Sequence, residues 1–456
     1  MYLYYFMLSA CPSMKLIFYI ARPIKTRSFL VPTQVRTRIS SDMAINLFRK
    51  DDRKKPNPEY PAVNDFLRLA VIFYNSVGLE PYESSNPEKK PGILFHMYFA
   101  FQISNMTLCL VEEIIFVVVS FRNNENFLES CMVLSYIGFV TVGGLKYISV
   151  LFRKKKMNNL VRQLESFFPS PKDHEKYSVK EFLKRCHSYT KGFGGLYTIL
   201  VVIYNFFNLI QYSILHLLQS PNAKKTMPYV NMAPWDYQAN WKFYLTYLAQ
   251  TMGGYTATCG HISADLMIFA VAMQVIMHFN RLARALKEFQ VQACSGSKQG
   301  ADEDLKELRS LISYHNQVLG LTDVMNEVFG IPLLLNFAAS SVLVCFVGFR
   351  LTVGISPEQF LKLMLILVSA MIEIYLLCSF SQMLIDASES VSIAAWNMNW
   401  MEADTRFRKM LIFIALRAQR PVCLKATVFL DVSIQTMSSF LQMSYKFFCA
   451  IRTMYQ

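Results

Sequence analysis

The segment ILFHMYFAFQISNMTLCLVEEIIFVVVS, residues 93–120, contains no Lys or Arg, and its acidic residues are Glu112 and Glu113. A helix needs about 20 consecutive, mostly apolar residues to cross the hydrocarbon core of a bilayer. This segment is long enough and apolar enough to do so. It therefore predicts a transmembrane helix, and the rest of the chain has to fit a membrane fold.

Further segments of similar length and composition follow the first one. Over the whole chain, 53% of the 456 residues are hydrophobic, which is more than the surface of an ordinary soluble protein allows. The fold predicted is an all-α polytopic membrane protein with seven transmembrane helices. The predicted spans are 93–120, 128–152, 192–218, 241–280, 328–350, 360–386 and 422–453.

Lys and Arg are concentrated before the first span and in the loops after the second, fourth and sixth spans. Cytoplasmic loops of membrane proteins carry an excess of these residues. The N-terminus is therefore predicted to be cytoplasmic and the C-terminus extracellular. Because this topology accounts for the net charge of +14, the charge does not indicate nucleic-acid binding.

The same pattern divides the chain into regions. Residues 1–42 are predicted to be an N-terminal extension, since their apolar start is broken by Pro12 and Lys15 and Met43 is a plausible alternative start. The segment 64–79 is too short and too charged to cross, and it predicts a short amphipathic or re-entrant helix. The remaining boundaries are 43–92 for the cytoplasmic N-terminal region, 93–386 for spans one to six, 387–421 for a cytoplasmic segment and 422–456 for the final helix.

Polar residues inside spans are costly in lipid and are candidate functional residues. Asp265 lies in the fourth span and Glu373 in the sixth, besides the two acidic residues of the first span. Interhelical hydrogen bonds are the simpler interpretation of all four. No metal site or cofactor is expected, because His261 and His278 stand alone and no metal-binding motif occurs.

The glycine pairs at 143–144 and 253–254 lack the Lys and Ser or Thr of a phosphate-binding loop. Small residues inside spans let helix backbones approach each other. These pairs therefore indicate close helix packing.

The final span carries a polar stripe on an otherwise aromatic and aliphatic helix. Residues three and four apart share a helical face, so the stripe covers an arc of about 100°. Several copies of such a helix around a symmetry axis can enclose a pore, whereas a polar seam between helices is the alternative. The stripe residues are Asp431, Gln435, Ser438, Ser439, Gln442 and Lys446.

The C-terminal part resembles the signature of the insect seven-transmembrane odorant receptors, and the likeness covers the plan from about Met43 to the end. The stretch 229–256, which enters the fourth span, is also similar to that family. Gustatory receptors close instead on a Thr-Tyr run ending in Gln-Phe, which is absent here. The matching signature residues are Trp396, Arg408, Lys409, Gln419, Arg420, Pro421, Ser444, Tyr445 and Phe448.

The resemblance implies an odorant-specific subunit that joins a shared co-receptor in a heterotetramer, an odorant-gated non-selective cation channel rather than an enzyme. It implies a plasma-membrane location in olfactory sensory neuron dendrites, surrounded by lipid. It also implies that Trp396, Arg408, Lys409 and Pro421 belong to a cytoplasmic anchor between subunits. The implied pore-lining residues are Asp431, Gln435, Ser438, Gln442, Tyr445, Phe448 and Ile451.

The resemblance places the odorant in the outer half of the membrane. Volatile ligands form few hydrogen bonds, so an aromatic, apolar site with one or two hydroxyls is expected. Two alternatives stay open, a gustatory-type channel and a G-protein-coupled-type chemoreceptor. The candidate ligand-binding residues are Tyr136, Phe139, Tyr204, Phe207, Tyr244, Tyr247, Thr251 and Tyr255.

Overall fold

A computed structural model describes residues 60–83, 92–123, 127–219, 225–230, 241–291, 298–352 and 357–455. The predicted extension 1–42 lies outside the described residues, and so do 43–59 and 84–91 of the N-terminal region. The described chain is helical except for connecting segments and one short hairpin.

The described helices follow one another along the chain. They are α1 (Val63–Ser76), α2 (Ile93–Arg122), α3 (Phe127–Phe152), α4 (Lys154–Phe167), α5 (His174–Tyr177), α6 (Val179–Leu217), α7 (Trp241–Glu288), α8 (Lys298–Thr352), α9 (Pro357–Trp396), α10 (Thr405–Ala418) and α11 (Ile434–Tyr455). A single 3₁₀ turn, Pro171–Asp173, precedes α5. Strands β1 (Lys425–Ala426) and β2 (Leu430–Asp431) pair antiparallel between α10 and α11.

Six of the described helices, α2, α3, α6, α7, α8 and α9, are long and apolar enough to cross a membrane. Each overlaps one of the first six predicted spans, but α6 and α8 begin well before the predicted 192–218 and 328–350, and α7 and α9 end beyond the predicted 241–280 and 360–386. α7 has 48 residues and α8 has 55, well beyond the roughly 20 that a bilayer requires, so both extend past the hydrocarbon core. α11 is not one of the six, since its polar stripe lowers its hydropathy.

The predicted short helix at 64–79 is present as α1. Asp65 stabilises its start, because the carboxylate accepts a hydrogen bond of 2.8 Å from the backbone N–H of Ala62. Its buried face, which includes Phe66 and Leu67, packs against α7 and α6.

α7 is the central helix of the bundle. It contacts α1, α2, α3, α6, α8 and α9, and all of its most apolar stretch of 18 residues is buried. A helix that is apolar on every side belongs in the interior. The other spans are therefore arranged around α7.

α3 and α7 cross with their backbones in contact at two glycines. A Cβ on Gly143 would lie 2.6 Å from the Ala257 carbonyl oxygen. A Cβ on Gly260 would lie 2.7 Å from the Gly143 carbonyl oxygen. The close packing predicted for Gly143 is confirmed. This crossing brings Lys146, one turn further along α3, beside the buried polar residues of α7.

The last helix begins later than predicted. The sequence pattern predicts a helix over 422–453, but residues 425–431 form the hairpin and α11 begins at Ile434. The hairpin backbone finds its partners on neighbouring helices: the Ser381 hydroxyl donates to the Val432 carbonyl at 2.6 Å and accepts from the Leu424 N–H at 3.0 Å. Asp431 consequently lies in β2 and not on the final helix.

Asn326 of α8 holds the same hairpin from the other side. Its amide donates to the Cys423 carbonyl at 3.0 Å and accepts from the Lys425 N–H at 3.0 Å. The hairpin is thus fixed to both α8 and α9, and it sets where α11 starts.

Replacing Gly143 with Ala should lower the apparent melting temperature of the solubilised receptor. The new Cβ would clash with the backbone of α7 at Ala257, which cannot shift without the rest of its helix. Overpacking of this kind costs about 1–3 kcal/mol. Gly138→Ala on the same helix is the matched control, since nothing lies within 4 Å of its Cβ position. Equal melting temperatures for the two variants would contradict the backbone contact.

Ser381→Ala should destabilise the hairpin by about 1–3 kcal/mol, because it leaves the buried Leu424 N–H without a partner. Ser390→Ala is the control, since the Ser390 hydroxyl donates to the Ala387 carbonyl of its own helix. Hydrogen exchange of residues 424–432 measures the effect. Protection that is unchanged in Ser381→Ala would show that the hydroxyl does not hold the hairpin.

Candidate functional site

A cavity of about 70 Å³ lies between α2, α3, α6, α7, α8 and α9. One water molecule needs at least about 10–15 Å³ on this measure, so the cavity has room for several waters or one small organic molecule. Much of its wall is aromatic, with Tyr136, Phe139, Tyr197, Tyr204 and Tyr229 among the lining residues. Such a wall suits an apolar ligand.

The tyrosines of the wall hold one another in edge-to-face contacts. Tyr136 packs against Tyr204 with ring centroids 6.1 Å apart and against Tyr229 at 5.8 Å, both with interplanar angles of 83°. A Cβ on Gly254 would lie 2.5 Å from the Tyr229 hydroxyl oxygen. Gly254 therefore makes room for this ring, which belongs to a non-helical segment and not to a neighbouring helix. Gly253 does face a helix, since a Cβ there would lie 3.1 Å from Cys109 Sγ of α2.

A buried cationic side chain lies beside the cavity. The Lys146 ammonium has three hydrogen-bond acceptors: Asp265 Oδ2 at 2.9 Å, the His261 carbonyl oxygen at 2.9 Å and His261 Nδ1 at 3.3 Å. A lysine ammonium has three hydrogens, so these acceptors can use all of them. Lys146 and Asp265 have no exposed side-chain surface.

Three more helices contribute to this charged cluster. Glu373 of α9 places Oε1 3.7 Å from the Lys146 ammonium and accepts a hydrogen bond of 2.6 Å from the Tyr197 hydroxyl at Oε2. Asn336 of α8 donates to Asp265 Oδ1 at 2.7 Å. The cluster thus connects α3, α6, α7, α8 and α9.

One potential ligand atom from each of His261, Asp265 and Glu373 lies within 4.8 Å of the others, which is close enough to hold a metal ion. The Lys146 ammonium lies among these atoms and supplies the positive charge there. A buried ion pair is tolerated when its remaining hydrogen bonds are satisfied. We therefore interpret the cluster as a structural ion-pair network.

The hydrogen-bonding interpretation of Asp265 and Glu373 is confirmed, whereas Lys146 and Asn336 were not among the predicted residues. The signal for Lys146 was present in the sequence, because a lysine in the middle of the 128–152 span needs an acidic partner. Asn336 carried no comparable signal, since an amide in an apolar helix has many available partners.

Tyr136, Phe139 and Tyr204 of the predicted ligand residues line the cavity. Phe207 of α6 lies elsewhere. The remaining four lie elsewhere as well, because α7 turns a different face to the cavity, the one that carries Gln250, Gly254 and His261. Phe207 packs beneath Lys362, Tyr244 is exposed beside Lys225, Tyr247 donates to the Asn205 carbonyl, Thr251 donates to the Tyr247 carbonyl and Tyr255 donates to Ser76 on α1.

α11 leaves most of its polar stripe uncovered. Its buried side packs on α8 and α9, where Phe440 contacts Phe337 at a ring distance of 6.2 Å and Ser444 Oγ lies 3.5 Å from Ser341 Oγ. Of the predicted pore-lining residues, Phe448 is half-buried and the side chain of Ile451 is not described. The exposed ones are Gln435, Ser438, Gln442 and Tyr445, together with the stripe residues Ser439 and Lys446.

The residues implied for a subunit anchor are all exposed in the single chain. Trp396 has 70% of its surface exposed, and Arg408, Lys409 and Pro421 are exposed as well. The tip of the hairpin adds apolar surface nearby in the sequence, since Val428 is 98% and Phe429 is 86% exposed.

The fold and the cavity define a multi-pass helical membrane protein with an internal aromatic cavity. The sequence model of the family described as "7tm Odorant receptor" matches residues 126–445. The chain therefore belongs to the seven-transmembrane odorant receptor family of insects, as the C-terminal signature predicts. Members of this family are receptors that bind odorants, and they are not enzymes.

Named relatives agree with this assignment. The chain is 55% identical over 404 residues to Odorant receptor 67a of Drosophila melanogaster, with 88% of this chain and 98% of that receptor covered. It is 39% identical over 396 residues to Odorant receptor 85c of the same species, with 86% and 99% covered.

A solved structure shows the same fold. The insect olfactory receptor OR5 from Machilis hrabei, in complex with eugenol, matches with a TM-score of 0.72 at 15% identity. The match covers 86% of this chain and 98% of that receptor. The predicted seven-helix membrane fold is thereby confirmed.

Lys146→Met should prevent stable folding, because it leaves two buried carboxylates without their cation, at a cost of about 3–5 kcal/mol. The control is Lys156→Met, which removes an exposed ion pair with Glu327 and should cost less than about 1 kcal/mol. The yield of monodisperse receptor and its melting temperature measure both. Wild-type stability in Lys146→Met would refute a structural role for the cluster.

Proposed function

We propose that the chain is the odorant-specific subunit of a heteromeric, odorant-gated, non-selective cation channel. In this proposal it assembles with a co-receptor subunit in the plasma membrane of olfactory sensory neuron dendrites. Support comes from one observation above all: α11 presents an uncovered polar face while its other side packs on two helices that line the cavity.

The exposed stripe supports the pore role. Gln435, Ser438 and Gln442 share one face of α11. This face would be unfavourable against lipid, since polar groups in hydrocarbon are costly. Water in a shared pore would solvate them. Copies of α11 from several subunits would surround this water, with the polar stripes turned inward.

The route from ligand to pore is short in this proposal. α8 and α9 contribute Ser340, Leu343 and Ile366 to the cavity wall and also pack directly on α11. A Cβ on Gly348 of α8 would lie 3.7 Å from the Phe448 ring. A ligand that fits better when α8 and α9 are displaced would thus shift α11, as a population shift requires.

The anchor role of the segment 387–421 is part of the same proposal. Trp396 and the exposed basic residues of α10 would meet neighbouring subunits on the cytoplasmic side. This arrangement requires a cytoplasmic N-terminus and an extracellular C-terminus, as the distribution of basic loops predicts. A G-protein-coupled-type chemoreceptor would have the opposite orientation.

Cells that express this chain together with an insect odorant co-receptor should give odorant-evoked cation currents. Gln442→Arg should reduce the permeability to Ca²⁺ relative to Na⁺, because a cation in the pore repels divalent ions more strongly. Phe447→Leu, an exposed position away from the stripe on the same helix, should leave the permeability ratio unchanged.

The pore role of α11 would be refuted if the receptor and co-receptor carried current with the same ratio of Ca²⁺ to Na⁺ permeability in Gln442→Arg as in Phe447→Leu. A complete lack of odorant-evoked current, with both chains shown at the cell surface, would refute the channel proposal itself.

A further inference from the structure

Three lysines share one exposed side of α6, in the part of the helix that precedes its membrane-spanning segment. Lys184 follows Lys180 by four residues and Lys191 follows Lys184 by seven, and both spacings return to the same helical face. All three side chains are exposed, and among the described residues none of them has an ion-pair or hydrogen-bond partner. We call these three residues the lysine row.

The lysine row differs from two neighbouring cations, which are paired with carboxylates. Arg185 of α6 donates to Glu181 at 2.6 Å, and the Lys176 ammonium of α5 lies 3.2 Å from an Asp173 oxygen. Because these two carboxylates already have cationic partners, they do not neutralise the lysine row. Its three charges are therefore available to an anion from outside the chain.

The same side of α6 is apolar and uncovered further along the helix. Val202 lies five full turns after Lys184, and Phe206 lies one turn beyond Val202, and both side chains are exposed. α6 packs on α1, α5, α7 and α9, whereas α11 packs on α8 and α9, so that α9 separates α6 from the final helix. Exposed apolar side chains on a span suit the hydrocarbon of the bilayer. The lipid that covers them has its headgroup on the side of the lysine row.

The exposed side of α6 changes from cationic to apolar between Lys191 and Ile199. The boundary of the hydrocarbon core falls in this interval, because an unpaired ammonium is costly in lipid. Lys191 is thus the member of the lysine row nearest to the bilayer. Lys184 lies about 10 Å further from it along the helix, at 1.5 Å per residue. An anion that serves both residues has to extend away from the bilayer surface.

Gly195 leaves room for a lipid at this boundary. It follows Lys191 by one turn, and nothing lies within 4 Å of the position that a Cβ would occupy. The polar end of a lipid can therefore approach the helix backbone between the lysine row and the apolar side chains above it.

We propose that the lysine row binds the headgroup of a phosphoinositide, a lipid whose inositol ring carries several phosphate groups. The phosphodiester of the lipid lies near Lys191, and the ring phosphates extend from the bilayer to Lys184 and Lys180. The headgroup of phosphatidylserine is smaller and carries its charge close to the surface. Basic clusters directly beside a span attract anionic lipids of the cytoplasmic leaflet, and the predicted orientation places the lysine row on that side.

A bound phosphoinositide would hold a helix that also contributes to the cavity, since Tyr197 and Tyr204 of α6 belong to the cavity wall. The lipid site itself goes beyond the proposed function. Its binding requires neither a co-receptor nor an odorant.

The test titrates a fluorescently labelled dioctanoyl phosphatidylinositol 4,5-bisphosphate with the purified full-length chain in a neutral detergent, and fluorescence anisotropy measures binding. Half-saturation should need about a tenfold lower receptor concentration than with labelled dioctanoyl phosphatidylserine. The triple variant Lys180→Gln, Lys184→Gln, Lys191→Gln should raise the concentration for half-saturation at least about tenfold, and Lys184→Gln alone about fivefold.

The matched control removes three exposed lysines that lie outside the row, so that the net charge changes by the same amount. It should bind the phosphoinositide as the wild type does. Its substitutions are Lys172→Gln, Lys287→Gln and Lys306→Gln.

Three results would overturn the proposal: wild-type binding by the triple variant and by Lys184→Gln, an equal loss of binding in the control, or equal binding of the two lipids. Soluble inositol 1,4,5-trisphosphate should compete poorly, because it does not share the detergent micelle with the receptor. Competition at the same concentration as the lipid would instead assign the lysine row to a free inositol phosphate and refute the lipid site. Because no current is measured, these outcomes are separate from the channel proposal.

Discussion

An ammonium group without solvent contact constrains this bundle more than any other single feature. Lys146 has to keep its acceptors, because a buried charge that loses its partner costs several kcal/mol. Its acceptors lie on α7, while Glu373 and Asn336 attach α9 and α8 to the same cluster. The contact of Gly143 with the α7 backbone makes this possible, since a larger side chain there would hold the two helices apart.

The same cluster gives the cavity its chemistry. The Lys146 ammonium lies 3.3 Å from His261 Nδ1, and Phe139 stacks on the His261 ring in the cavity wall. The helices that hold the cluster also carry α11. In the proposed channel, a ligand that moves these helices would also move the last helix, because α11 packs directly on α8 and α9.

Much of this architecture could be predicted from the sequence. A bilayer requires each span to have a minimum length and a high hydropathy, and both properties can be recognised in one segment at a time. The first six spans and the close packing at Gly143 follow from such local patterns. The start of α11 could not be predicted, because the pattern of residues 422–433 suits a helix. The hairpin is held by residues distant in sequence, among them Asn326 and Ser381. The cavity wall was predicted in part, because aromatic residues within a span can be recognised in the sequence. Which face α7 turns to the cavity could not be predicted, because it depends on the helices packed around α7.

The arrangement of the helices around the cavity depends most on the buried Lys146 ammonium and its carboxylate partners. An experimental structure of the receptor assembled with its co-receptor, with an odorant bound, would show this cluster and the ligand directly. We expect Lys146 Nζ within about 2.7–3.2 Å of an Asp265 carboxylate oxygen, with the odorant in the aromatic cavity beside them. A ligand bound outside this cavity, or a Lys146 side chain turned away from Asp265, would contradict the account.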